Sequence, residues 1–177
     1  PEASDTALRA LKNYADQAAG AESLESLLGI EGMAAKTYFA GFNGMLKPGK
    51  ALGKTPEGPG FTFQFELRNR RPPRDPVNAM LSLAYALFAK DWTVTLASVG
   101  FDPYLGFLHQ ETYGHPALAL DLAEPFRAPV VDRMVVRLFN LKVLSPEDFQ
   151  PHEEGGLHLT DDSLRRFFTE WERVLQR

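Results

Sequence analysis

The stretch from Asp75 to Val99 limits what this 177-residue chain can fold into more than any other part of it. Asp75-Pro76 reads as a helix cap followed by a first helical residue. The carboxylate can accept an unpaired N–H of the first turn, and proline has no N–H to lose there. After Pro76 neither glycine nor proline occurs until Gly100. Val77, Met80, Leu81, Leu83, Ala84, Leu87 and Phe88 cover nearly the whole circumference of such a helix. A helix that is apolar all round must be buried all round, so the rest of the chain has to surround it.

The flanking sequence supplies helices for that purpose. Leu8, Leu11, Tyr14, Ala15 and Ala18 recur at helical spacing up to Gly20, and Leu24, Leu27, Leu28, Glu31, Ala35, Tyr38, Phe39 and Phe42 do so before Asn43-Gly44. Residues 44–60, rich in Gly, Pro and Lys, read as a loop, and 61–65 alternate like a short strand. Helical stretches are predicted at about 116–127 and 130–142, with Pro125 and Pro129 kinking or dividing them. Ser145-Pro-Glu-Asp148 has the form of a capping box. Thr160 caps a last helix with the stripe Leu164, Phe167, Phe168, Trp171, Val174 and Leu175. The expectation is one all-α domain over residues 1–177, with six or seven helices and almost no β structure.

Composition narrows the function classes. Hydrophobic residues make up 44% of the chain, enough for a single core. Cysteine is absent, which excludes thiol nucleophiles, disulfide frameworks and zinc ribbons. Nineteen Lys and Arg against 23 Asp and Glu exclude a uniformly basic nucleic-acid glove but leave room for a local basic patch. No apolar run approaches the roughly 18 residues needed to span a bilayer, and no export signal opens the chain. A cytoplasmic location is expected. The start at Pro1, within a helical pattern, suggests a piece of something longer.

Several polar residues stand at positions where packing alone predicts apolar ones. Glu31 interrupts the stripe of its helix, where it either reaches solvent at the stripe edge or needs a cation or a proton. Asn78, Ser82 and Tyr85 form one polar line on the apolar helix, serving either helix–helix hydrogen bonds or the support of acidic ligands. His109 ends the apolar run Leu105-Gly-Phe-Leu, while His115, His152 and His158 read as solvated. Asp121 and Glu124, three residues apart, repel unless a cation holds them, and Arg127 is one candidate for that cation. Glu31, His109, Asp121 and Glu124 together make a set of carboxylates with one imidazole, which suits Mg²⁺ or Mn²⁺ better than structural zinc. Arg68, Arg70, Arg71 and Arg74 form a cluster stiffened by Pro72-Pro73, fit either for phosphate or for surface solubility.

Four blocks in order, Leu28-Gly-Ile-Glu31-Gly, Arg68-Asn-Arg-Arg-Pro-Pro-Arg-Asp75-Pro-Val-Asn78, Asp102-Pro-Tyr-Leu-Gly-Phe-Leu-His109 and Leu118-Ala-Leu-Asp121-Leu-Ala-Glu124-Pro-Phe-Arg127, resemble the CRISPR-associated integrase, the first-numbered Cas protein. The resemblance runs from about Leu24 to Leu175. It implies the helical catalytic domain of that family, without the β-rich N-terminal domain of its complete members. By resemblance Glu31, His109 and Glu124 are ligands of Mg²⁺ or Mn²⁺, Asp121 is a supporting catalytic acid, and Asn78 and Ser82 line the site. Arg127, with Arg68, Arg70, Arg71 and Arg74, would face DNA.

The implied activity is spacer acquisition in antiviral defence. A prespacer 3′-hydroxyl attacks a phosphodiester at the CRISPR repeat, and water in its place gives endonuclease activity. The implied partners are prespacer and repeat DNA, a second copy in the complete protein, the small second-numbered Cas protein and, in fused members, an upstream reverse transcriptase or exonuclease. Two other readings stand beside it: a non-catalytic helical DNA-binding scaffold of the same fold, and a metal-dependent hydrolase of small phosphate esters. The first reading requires the Glu31, His109 and Glu124 side chains to converge within reach of one cation.

Overall fold

The computed structural model describes residues 2–46, 65, 68–69, 72–110, 112–153 and 155–176. The element order bears out the all-α expectation: α1 (Glu2–Ala19), α2 (Leu24–Ala40), α3 (Pro76–Ser98), α4 (Ala117–Phe126), α5 (Arg133–Asn140) and α6 (Asp161–Leu175). Short 3-10 turns occupy Phe42–Met45 and Pro146–Asp148. The described residues divide into two compact units, one within Pro1–Pro48 and Gln64–Arg68, the other within Asn69–Arg177. Most of the predicted loop and four of the five residues of the predicted strand lie outside the described residues.

In the first unit α1 and α2 pack as a helical hairpin, with Ser23 accepting the Ser26 N–H (3.1 Å) as the cap of α2. None of the described residues of α2 is buried, although the Leu24–Phe42 pattern reads as a core stripe. Burial falls instead on Phe42 and Phe65, whose ring centroids lie 5.1 Å apart. The Asn43 side chain holds Phe65 by bonding to both its carbonyl and its N–H. A side-chain amide thus does for Phe65 what a neighbouring strand would do.

The second unit is built around α3. Asp75 Oδ1 accepts the Asn78 N–H (2.8 Å) and Pro76 takes the first turn, as the sequence dictates. Val77, Asn78, Ala79, Met80 and Leu81 are all buried, whereas Val94 and Val99 are 61% and 64% exposed. The apolar cylinder is therefore covered in its first half and emerges in its second, where Leu96 packs with Leu118 and Ala119 of α4. Gly100, at φ +90°, ends the run with a backbone conformation that costs glycine little.

A two-stranded antiparallel hairpin, β1 (Phe149–Pro151) and β2 (Leu157–Leu159), is an addition the helical reading did not include. At three residues each, its strands are too short to show an alternating pattern. Gly156 lies so close to Pro72 and Pro73 that a Cβ there would approach both to 2.8 Å. The Leu157 N–H donates to the Pro73 carbonyl (2.9 Å), so the hairpin pins the end of the arginine segment. Asp148 accepts from Ser145, Ser163 and Arg166, joining the capping box to α6. Burial alone would raise its carboxyl, but these donors hold it below the ordinary aspartate value. Among the described residues, no helix is long and apolar enough to cross a membrane.

Replacing Asp75 by alanine removes the cap of α3 and a partner of the buried Asn78 together. Asp75→Ala is expected to lower unfolding free energy by about 1–2 kcal/mol, read as a lower urea midpoint with an unchanged slope.

Candidate active site

The segment after α3 turns back onto α4 through backbone chemistry that its sequence prescribes. Asp102 Oδ1 accepts the Tyr104 N–H (2.9 Å), an Asx turn fixed by its own side chain. The Pro103 carbonyl accepts the N–H groups of Leu118 (3.0 Å) and Ala119 (3.3 Å). The loop thereby caps α4, whose N-cap residue Pro116 offers no side-chain acceptor. Gly106 then lies directly against the helix, where a Cβ would come within 2.6 Å of Ala117 Cβ and 2.9 Å of Asp121 Oδ2. Any larger residue would force the loop off α4.

Asp121 receives that loop. Its Oδ2 accepts the N–H groups of Phe107 (2.5 Å) and Leu108 (2.9 Å), and its Oδ1 accepts the N–H of His109 (3.0 Å) and faces the His109 Nδ1 at 2.6 Å. The carboxylate side chain is 6% exposed and the imidazole 39%. Burial alone would raise the Asp121 carboxyl. The Leu108 N–H, the His109 ring and the N–H groups of Phe107 and His109 outweigh it and hold the group below the ordinary aspartate value. An ionised carboxylate only accepts, so Nδ1 carries the ring proton, and in neutral His109 the lone pair sits on Nε2. The histidine is thus held by Asp121 through both its backbone N–H and its ring, with Nε2 left facing away from that bond.

Three residues on, Glu124 Oε1 meets Arg127 Nη1 at 2.7 Å, each side chain 25% exposed. The repulsion expected between Asp121 and Glu124 is relieved by separate partners, the loop for one and Arg127 for the other. The predicted division at Pro125 and Pro129 takes the form of a π-helical turn, Arg127–Asp132, between α4 and α5. Prolines deprive a helix of N–H donors and clash with the preceding turn, which favours a widened turn here. Asp132, buried at 2% exposure, accepts from Tyr85 Oη, and the Arg127 guanidinium lies over the Tyr85 ring, 5.3 Å from its centroid. Sequence reading passed over Asp132. Its signal was a single acid inside Val130-Val-Asp132-Arg-Met-Val-Val136.

The other expected site residues are placed as follows. Glu31, on α2 of the first unit, is exposed. A Cβ on Gly29 or Gly32 beside it would meet nothing within 4 Å. Asn78 is fully buried, donating Nδ2 to Asp75 Oδ2 (2.6 Å) and accepting the Asn69 N–H on Oδ1 (3.0 Å). Ser82, one turn along, is half-buried. Of the polar line, Asn78 thus bonds to the cap of its own helix and to Asn69, and Tyr85 to Asp132. Arg74 is exposed and Arg68 half-buried, while Arg70 and Arg71 lie outside the described residues. His115 and His152 are exposed as expected. His158 is not fully solvated: its Nδ1 is shut away from water and has no hydrogen-bond partner among the described residues.

Among the described residues, no group of three or more His, Asp and Glu side chains is arranged to hold a metal ion. In the second unit the reason is visible, because Asp121 is occupied by the 107–109 loop and Glu124 by Arg127. The donor chemistry nevertheless fits a divalent cation. A histidine whose Nδ1 is fixed by a carboxylate, leaving Nε2 to ligate, is the arrangement that metal-binding histidines use. A carboxylate now neutralised by a guanidinium can exchange that cation for another.

Three comparisons bear on this geometry. A family model described as "CRISPR associated protein Cas1" matches residues 2–173. A "CRISPR-associated exonuclease Cas4/endonuclease Cas1 fusion" of Geobacter sulfurreducens is 47% identical over 96% of this chain, which spans 29% of that protein. Among solved structures, a partial Cas6-RT-Cas1–Cas2 complex aligns at a TM-score of 0.80 and 31% identity, over 95% of this chain and 48% of its own. A casposase bound to integration product aligns at 0.68 and 30%, over 88% and 41%.

Asp121→Asn puts an amide where several donors converge. It is expected to lower stability by about 2 kcal/mol at neutral pH, measured by urea unfolding. A carboxyl depressed in the folded state contributes fully above its unfolded value, about pH 4, and loses that contribution as pH falls through the lower folded value. The gap between wild type and Asp121→Asn should therefore close progressively below about pH 4.

Proposed function

This chain belongs to the CRISPR-associated Cas1 family, and we propose that it is the part of a DNA integrase and endonuclease that carries out phosphodiester transfer during spacer acquisition. The observation that carries the reading is the Asp121–His109 pair, a buried carboxylate fixing the tautomer of a half-exposed imidazole through its Nδ1. Such a device is of little use to a scaffold. It is what a reaction centre needs in order to aim one nitrogen at a ligand or proton.

Glu31, His109 and Glu124 would hold Mg²⁺ or Mn²⁺, with Asp121 as the residue that orients His109. Bound there, the cation would supply charge stabilisation at the phosphate and at the entering or leaving oxygen. The residues of this chain do the rest. His109 presents Nε2, Glu124 offers carboxylate charge, and Arg127 lies within one helical turn to meet phosphate. Arg68, Arg70, Arg71 and Arg74 would hold the DNA backbone, offsetting the repulsion that the acids exert on it.

The rings around His109 favour nucleic acid over a small phosphate ester. Phe107 is 84% exposed and Tyr104 48%, the sort of apolar faces on which bases stack. The chain spans 29% of the Geobacter relative, so the whole protein's partners also belong to this proposal. They are prespacer and repeat DNA, a second copy, a small partner like the Cas2 named in the aligned complex, and a fused exonuclease or reverse transcriptase. The site of action would be the cytoplasm.

In the complete protein, Mg²⁺ or Mn²⁺ should support nicking or strand transfer on branched DNA. Glu31→Ala, His109→Ala and Glu124→Ala should each reduce it at least about 100-fold, the scale of losing a ligand or an acid–base group, with helical circular dichroism unchanged. Retention of activity by all three variants would refute the assignment.

A further inference from the structure

Tyr85 touches both ends of the π-helical turn. Its hydroxyl donates to Asp132, the last residue of the turn, and its ring carries the guanidinium of Arg127, the first. These two residues are five apart. On an α-helix they would point about 140° away from each other, since each residue advances the helix by about 100°. In a π turn the hydrogen bond spans five residues and the turn is wider, which brings residues five apart back to nearly the same side. The widened turn thus lets one tyrosine on α3 engage both, and Arg127, held on that ring, places Nη1 2.7 Å from Glu124 Oε1.

We propose that Tyr85, anchored by Asp132, is a positioning residue that holds Arg127 on Glu124 as a resident counter-charge, which a divalent cation has to displace. The inference rests on the reading of Glu124 as a cation ligand and adds a competitor to it. Four groups form one chain, Asp132 to Tyr85 to Arg127 to Glu124. Two of its links are polar contacts and one is the attraction of a cation for a ring face. With Glu124 occupied by a metal, the guanidinium stays on the ring with its N–H fork released from the carboxylate and available to phosphate.

The sign of the effect separates this role from simple packing. Loss of packing at Tyr85 would loosen α3 against the π turn and weaken cation binding. Loss of positioning would loosen Arg127 and strengthen it.

The experiment measures Mn²⁺ binding to the full chain by the electron paramagnetic resonance signal of free Mn²⁺, with thermal melts as a control on folding. Arg127→Ala should tighten Mn²⁺ binding. Tyr85→Leu should tighten it by about two- to fivefold, the range of a partly exposed cation–π contact. Tyr85→Phe, which keeps the ring and loses the anchor, should fall between wild type and Tyr85→Leu. In the Arg127→Ala background Tyr85→Leu should change nothing further.

Weaker or unchanged binding in Tyr85→Leu, no tightening in Arg127→Ala, or effects that multiply in the double variant would overturn the proposal. Should Tyr85→Leu unfold, Arg127→Lys, which keeps the charge but not the flat stack, carries the same expectation of tighter binding. Failure of the underlying site reading shows separately, as His109→Ala and Glu124→Ala variants that bind Mn²⁺ like wild type.

Discussion

The carboxylate of Asp121 is the point on which the candidate site depends. It stands on α4 with its side chain almost entirely covered, which is costly for a charge unless donors replace the lost water. The donors come from one short loop: successive N–H groups of Phe107, Leu108 and His109, and the imidazole that follows. The arrangement is reciprocal. The loop has no regular secondary structure to satisfy its backbone, and the carboxylate does that work, while the loop's donors keep the carboxylate ionised. Gly106 permits the close approach, and the Pro103 carbonyl closes the helix end. A histidine on an irregular segment thus acquires a fixed orientation.

Charge is organised around this point without a strongly basic protein. Two acids three residues apart would destabilise one another on an exposed helix. Here Asp121 turns toward the loop and Glu124 toward Arg127, so each is neutralised by a different neighbour. The π-helical turn that follows departs from α geometry, and its two ends meet on Tyr85 of α3. This relates the long apolar helix to the candidate site. Its buried first half fixes the scaffold, and the Tyr85 side chain reaches the segment that carries Arg127.

Legibility in the sequence followed the range of the interactions involved. The cap at Asp75-Pro76, the stop at Gly100, the capping box at Ser145–Asp148 and the helical spacing of α1 to α6 are set by neighbours a few residues away, and the sequence displays them. The pairing of Glu124 with Arg127 is equally local. The hairpin Phe149–Leu159 was not legible, because three-residue strands show no period and are defined by docking on Pro72-Pro73. The apolar spacing of α2 suggested burial, yet none of its described residues is buried, since spacing gives a face and not its cover.

What the sequence by itself determined, then, is the helical class, the ends of the main helices and the roster of polar residues that packing does not explain. Only the tertiary structure decided how those residues are used. Asp121 and His109 are twelve positions apart, and Tyr85 and Asp132 forty-seven, distances over which no local rule operates. Whether a carboxylate serves as a ligand, an orienting partner or a solvated charge depends on which donors reach it through space. Folding sets those contacts, whereas spacing along the chain sets only which side of a helix each group occupies.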